Sequence, residues 1–291
     1  MGWFKIATMD HIRKDAPHGY PPSPAKEVEK LILREFEGFI FDLDGTVYLG
    51  EKPIKGAKEV IEGLRSAKKK VLFVSNKPIA TRESYAEKLT RFGIETSPEE
   101  VINSSFVLTR YLNRIKPRAR VFPIGEKPLI DELERAGFRI TDVPEEIEMV
   151  VLAMDRTFNY AKLLTAYRAA KGGAFLIATN PDPTCPMDGG EFPDCASIIA
   201  ALEACSGRKV EVIVGKPSPI MVEEAMRCLN LPPQKCVITG DRLSTDIAMG
   251  KRAGIFSILV LTGVTKREDL RKSEIKPDLV LNGIWEMSEL I

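Results

Sequence analysis

Histidine is almost missing from this chain: two occur in 291 residues, His11 and His18, both before residue 19. Over residues 19–291 no imidazole is available. That excludes a Ser-His-Asp triad, a histidine-rich metal site and a phosphohistidine there. Chemistry in the body must rest on carboxylates, Lys, Ser, Thr or a metal. Cysteine is scarce and odd in number: five, at 185, 195, 205, 228 and 236. No pair has the C-x-x-C spacing of a zinc or redox site, so the five read as reduced thiols and the expected compartment is the cytoplasm. No apolar run reaches bilayer length, and no apolar signal core stands at the N-terminus; no membrane partner is expected. Strong charge of one sign is also missing. The formal net charge is +1, and the densest basic run, Lys68-Lys69-Lys70, reads as a helix end, so no nucleic-acid partner is expected.

What is present is the composition of a globular protein, 44% apolar and 29% charged, with a length that suits one large or two modest domains. Residues 1–35 read as an arm and a short helix: Pro17, Pro21, Pro22 and Pro24 oppose regular structure, and Val28, Leu31, Ile32 and Phe36 follow near helical spacing. From there apolar, β-branched runs alternate with helical stretches. The runs expected as buried strands are 39–43, 71–75, 121–124, 149–154, 175–179, 210–214, 236–240 and 257–261. Ser97-Pro98-Glu99-Glu100 carries a helix-start signal, a second helix is expected from Ser218-Pro219 to about Leu229, and a third over Asp246–Ala253. The alternation predicts an α/β fold with a parallel, doubly wound sheet.

The strongest local signal is Phe39-Ile-Phe-Asp-Leu-Asp-Gly-Thr46. Asp42 and Asp44 lie at strand spacing and face one way at the end of a buried strand. Two such acids repel, and a divalent cation is the simplest compensation. Three more expected strand ends carry polar groups: Ser75-Asn76, Lys216, and Asp241 followed by Asp246. Acids, a cation, a hydroxyl and an amide on one sheet edge suit phosphoryl transfer. Asp42 would be the nucleophile and Asp44 the acid and then base. Mg²⁺ would be held by the Asp42 carboxylate, the Asp44 carbonyl and Asp241. Lys216 would balance charge, and Ser75 and Asn76 would donate to phosphoryl oxygens.

These four segments resemble the four motifs of the haloacid-dehalogenase-like superfamily. Ala178-Thr-Asn-Pro-Asp182, Gly215-Lys-Pro-Ser-Pro219 and Gly240-Asp-Arg-Leu-Ser-Thr-Asp246 further resemble its NagD-like, p-nitrophenylphosphatase branch. The resemblance implies a Rossmann-like core over 36–117 and 210–291 with an α/β cap inserted over 118–209. About 140 residues separate Ser75 from Lys216, ample for such an insertion. It also implies Asp42 as nucleophile, Asp44 as acid and base, a Mg²⁺ site at Asp42, Asp44 and Asp241, a supporting role for Asp246, and a homodimer formed through the cap. Gly45, Lys77, Asn180 and Asp182 are the candidate substrate contacts. Two departures bear on substrate. Lys77 stands where relatives often have asparagine, and the turn after Gly190 reads Phe192-Pro-Asp-Cys-Ala without a substrate-reading His or Arg. The expected activity is hydrolysis of small phosphate monoesters such as sugar phosphates, phosphoglycolate or p-nitrophenyl phosphate. A phosphomutase, a dehalogenase and a non-catalytic phosphate sensor or scaffold are the alternatives; Asp44 and the complete motif set count against the last two.

Overall fold

The computed structural model describes residues 33–187 and 189–290. The arm, with both histidines, and most of the expected helix before residue 36 lie outside them.

The chain builds two parallel sheets. The first has six strands in the order β15 (Leu279–Leu281), β14 (Phe256–Val260), β13 (Cys236–Gly240), β1 (Gly38–Asp42), β4 (Lys70–Ser75) and β5 (Val101–Asn103). Both faces of these strands are buried. Phe39, Phe41 and Phe73 pack on helices 57–66 and 82–91, while Ile40, Leu72 and Ile238 pack on helices 104–115 and 219–229. A strand covered on both sides needs apolar residues at every position, which is why these strands stand out as continuous runs. All the pairings are parallel, so the strands end on one edge. Strand order reverses at β1, with β4 and β5 on one side and β13 to β15 on the other, and a crevice opens at such a reversal.

The second sheet has the order β12 (Val212–Ile213), β9 (Phe175–Ala178), β8 (Met149–Leu152), β6 (Arg120–Ile124) and β7 (Arg139–Ile140). Val150, Leu152 and Leu176 face helices 160–171 and 195–206. Val121, Val151 and Ile177 face inward and belong to the same apolar cluster as Ile40 and Ile238 of the first sheet. One buried seam therefore runs through both units. Two hairpins complete the chain. The pair β2 (Tyr48–Leu49) and β3 (Lys52–Pro53) follows β1, and the pair β10 (Thr184–Met187) and β11 (Gly190–Pro193) extends from the second sheet.

Two local expectations change. The Ser97–Glu100 signal was expected to open a helix. Glu100 does accept from the Ser97 N–H at 3.0 Å, but the turn ends after Glu100. Val101 and Ile102, buried and β-branched, instead pair with Phe73 and Val74, and the helix starts at Ser104 with Asn103 as its cap. The expected 210–214 strand pairs only at Val212–Ile213, and with β9, so the second sheet extends past residue 209.

Candidate active site

Asp42 ends β1, and the register sets it opposite Val74, one residue short of Ser75. Lys216 enters from the far end of the second sheet. Its side chain is almost fully buried, and its ammonium donates to Asp42 Oδ1, to Asp246 Oδ1 at 2.7 Å and to the Val74 carbonyl at 3.3 Å. Burial alone would lower this lysine, but Asp246 and Asp42 outweigh it and hold the ammonium well above the usual lysine range. Asn76 fixes the Lys216 backbone from both sides: its Oδ1 accepts the Lys216 N–H at 2.7 Å, and its Nδ2 donates to the Lys216 carbonyl at 3.0 Å. The same Nδ2 donates to Asp182 Oδ2 at 2.8 Å. Both amide hydrogens are thus committed. The phosphoryl contact expected of Asn76 would require releasing one; in this geometry the amide positions Lys216.

Asp241 follows β13 and Asp246 sits in a π-turn, Leu243–Ile247, that opens the helix Ala248–Ala253. The helix expected from Asp246 is widened there by one turn. This aims Asp246 back at the strand end, where its Oδ2 accepts the Arg242 N–H at 3.1 Å. Glycines make room for these two acids. A Cβ on Gly240 would stand 2.2 Å from Asp246 Cγ, and one on Gly263 would stand 1.8 Å from Asp241 Oδ2. Gly45, with φ 88°, leaves the same space from the other side; a Cβ there would be 2.6 Å from Asp241 Oδ2. Gly45 thus shapes the acid cluster. Asp241 Oδ2 also accepts the Val264 N–H at 2.5 Å.

Carboxylate oxygens of Asp42, Asp241 and Asp246 lie within 4.8 Å of one another. Three acids with one lysine among them leave two uncompensated negative charges in a buried place. Burial pushes Asp42 well above the usual carboxylate range, with Asp246 and Asp241 adding to it against Lys216, and burial pushes Asp241 up to about 6. An oxygen-rich cluster of that charge fits a hard divalent cation. The Asp44 carboxylate is not part of it. It turns the other way, toward Lys77 Nζ at 3.4 Å, and burial raises it against the pull of that lysine.

These groups line a cleft between the two sheets, together with Ser75, Asp182 and Asp194. Ser75 is buried and its Oγ accepts the Lys77 N–H at 3.1 Å. Asp182 reaches the cleft wall but is bound on every side: Arg242 Nη1 donates to it at 2.9 Å, Asn76 at 2.8 Å and Asn180 at 3.0 Å. Asn180 is fully buried behind Asp182 and does not line the cleft. It bonds Thr179, Asp182 and Asp194. Sequence reading placed Asn180 and Asp182 at the substrate; the structure places them in a buried polar network joining the two units. The residue missed is Arg242, which also donates to the Thr184 carbonyl at 3.3 Å. It was visible inside the Gly240–Asp246 motif, but its partner lies 60 positions away, where no local pattern points.

Residues 39–139 match the haloacid dehalogenase-like hydrolase family, and residues 213–287 match the HAD-hydrolase-like family. The chain is 38% identical over 279 residues to the sugar-phosphatase AraL of Bacillus subtilis, covering 96% of this chain and 97% of that protein. Among solved structures it is similar to the 4-nitrophenylphosphatase of Thermotoga maritima, with TM-score 0.85, 37% identity, and coverage of 89% of this chain and 98% of that one. It is likewise similar to the p-nitrophenyl phosphatase of Archaeoglobus fulgidus, with TM-score 0.83, 37% identity, and coverage of 88% and 100%. With these matches and the site's geometry together, the chain belongs to the haloacid dehalogenase-like hydrolases, in the NagD-like branch.

Proposed function

We propose that this protein is a Mg²⁺-dependent phosphatase that hydrolyses small phosphate monoesters through a phosphoryl group carried on Asp42. The observation that supports this most is the division of labour between two acids two residues apart. Asp42 faces Lys216 and the acid cluster, while Asp44 stands in the same cleft with its own carboxylate free of that cluster. The relatives named above are phosphatases of sugar phosphates and nitrophenyl phosphate.

In the first half of the reaction an Asp42 oxygen bonds to phosphorus, and the bond from phosphorus to the leaving oxygen breaks. The Asp44 proton passes to that oxygen, so the alcohol leaves neutral. In the second half Asp44 takes a proton from water, whose oxygen bonds to phosphorus and releases Asp42 and inorganic phosphate. The Ser75 hydroxyl holds a phosphoryl oxygen, Lys216 balances the charge of Asp42 and of the phosphoryl group it carries, and Asn76 keeps Lys216 in place. Asp42, Asp241 and the Asp44 carbonyl would hold Mg²⁺ with Asp246 in support, and the ion when bound neutralises charge on the phosphoryl group. Burial raises the Asp44 carboxyl above the usual carboxylate range, the direction a proton donor to the leaving oxygen needs.

Two further readings complete the proposal. All five cysteines are free thiols and no described helix is long and apolar enough to cross a membrane, which accords with a cytoplasmic protein. A homodimer through the second unit rests on the family resemblance, and a monomeric mass by light scattering would remove it. The activity itself is tested by phosphate release from a panel of small esters with Mg²⁺, repeated with Asp42→Asn. Release is expected from the native protein and should fall below detection in the variant; equal rates would end the proposal.

A further inference from the structure

Lys77 is built into the site with unusual care for a residue the reaction does not use. Its backbone is fixed at both ends: the N–H donates to Ser75 Oγ, and the carbonyl accepts from the buried Tyr85 hydroxyl at 3.1 Å. Its side chain is only 15% exposed. Yet its ammonium is loosely answered. Asp44 Oδ2 stands 3.4 Å away and the Pro186 carbonyl 3.3 Å, both at the outer limit of a hydrogen bond. Lys216, by contrast, spends all three donors on Asp42, Asp246 and Val74. A pre-set, half-buried cation with only long hydrogen bonds is a place where a ligand anion gains most.

Its position says which anion. Lys77, Asp44 and Pro186 are the residues shared by the phosphoryl cleft and a second cleft beside it, which runs out past Tyr48 and Ser84. The leaving oxygen must sit against Asp44, so the first atoms of the leaving group pass Lys77 on their way into the outer cleft. Farther out Lys88 pairs with Glu51 at 2.9 Å, and Arg91 stands 3.9 Å from the same carboxylate. The loosely held cation nearest the ester is therefore Lys77, at the inner end.

Resting on the hydrolase reading above, we infer that Lys77 is the specificity-determining residue of this site and selects short phosphate esters whose leaving group carries a carboxylate within one or two carbons of the ester oxygen. The test uses the full chain with Mg²⁺ and three esters: phosphoglycolate, its neutral counterpart 2-hydroxyethyl phosphate, and p-nitrophenyl phosphate. The native protein is expected to favour phosphoglycolate over 2-hydroxyethyl phosphate in kcat/KM by about ten- to a hundredfold, the worth of one charge-assisted hydrogen bond. Lys77→Met and Lys77→Gln should erase that ratio, chiefly through KM, and Lys77→Arg should keep most of it. Having two neutral variants guards against one that fails to fold. A native ratio near one, or a fall of equal size on all three esters in both neutral variants, would overturn the inference and leave the phosphatase standing. No release from any of the three by the native protein would overturn the hydrolase reading and this inference with it.

Discussion

Replacing Lys216 with methionine removes the cation set among the half-buried Asp42 and the buried Asp241 and Asp246 while filling most of its volume. The ammonium pairs with Asp42 and Asp246, and both its own side chain and that of Asp246 are 2% exposed. Removing one partner of a buried pair leaves the other charge unanswered and costs about 3–5 kcal/mol. For a chain of this size that corresponds to a fall in melting temperature of roughly 6–15 °C. The held-up Lys216 sets the sign with pH. A lysine whose folded value is raised contributes fully below its unfolded value of about 10.4 and loses that contribution only at still higher pH. The deficit should therefore be complete at pH 8. It should shrink toward pH 5, because the stranded acids can then take up protons. Added Mg²⁺ should raise the melting temperature more in the variant than in the native protein, since it replaces the missing positive charge. Turnover should fall by about a hundredfold or more even with saturating Mg²⁺, the scale seen when one fixed transition-state donor is removed. The assay is thermal melting in EDTA and in Mg²⁺ at both pH values, with phosphate release alongside. A metal-free variant as stable as the native protein at pH 8, turning over at the native rate, would refute the reasoning.

Other perturbations follow the same physics. Gly263→Ala puts a methyl 1.8 Å from Asp241 Oδ2, so Asp241 must move; Mg²⁺ affinity by titration calorimetry should fall about ten- to a hundredfold, and unchanged affinity would contradict the cradle. Asp182→Ala takes the carboxylate from the half-buried Arg242 guanidinium and frees Asn76, and should cost about 2 kcal/mol in urea denaturation together with a lower kcat. Burial pushes Asp194 up to about 6 from 3.8, so the folded protein binds its proton more tightly than the unfolded chain. Unfolding free energy should then decline as pH rises from about 4 to 6, by on the order of 2 kcal/mol, and Asp194→Asn, which still offers an acceptor to Cys195 and Asn180, should flatten that slope.

The parts of this account legible in the sequence share one cause. A parallel strand covered on both faces must be apolar at every position, and the polar residue that ends it must have a reason. Phe39–Asp42 and Cys236–Asp241 announce both the strand and the acid. Strands that satisfy only part of that rule were silent: Val101–Asn103 is three residues long behind a helix-start signal, and Thr184–Met187 is half of a hairpin. Asn180 and Asp182 show the limit for side chains. Their type and position after a strand fit a substrate contact, yet Asp182 binds Asn76, Asn180 and Arg242, and Asn180 binds Thr179, Asp182 and Asp194, groups brought together by the packing of the two sheets. Asp246 was read as support, and the cluster with Asp42 and Asp241 appears only once the π-turn bends it back.

Phosphoryl transfer in this protein passes through Asp42 itself. Mixing the native protein with a fast-reacting ester, quenching in acid within the first turnover and mapping peptides by mass spectrometry tests it directly. A phosphoryl increment is expected on the peptide that contains Asp42, lost in Asp42→Asn. An increment on a different residue, or undiminished turnover by Asp42→Asn, would contradict it.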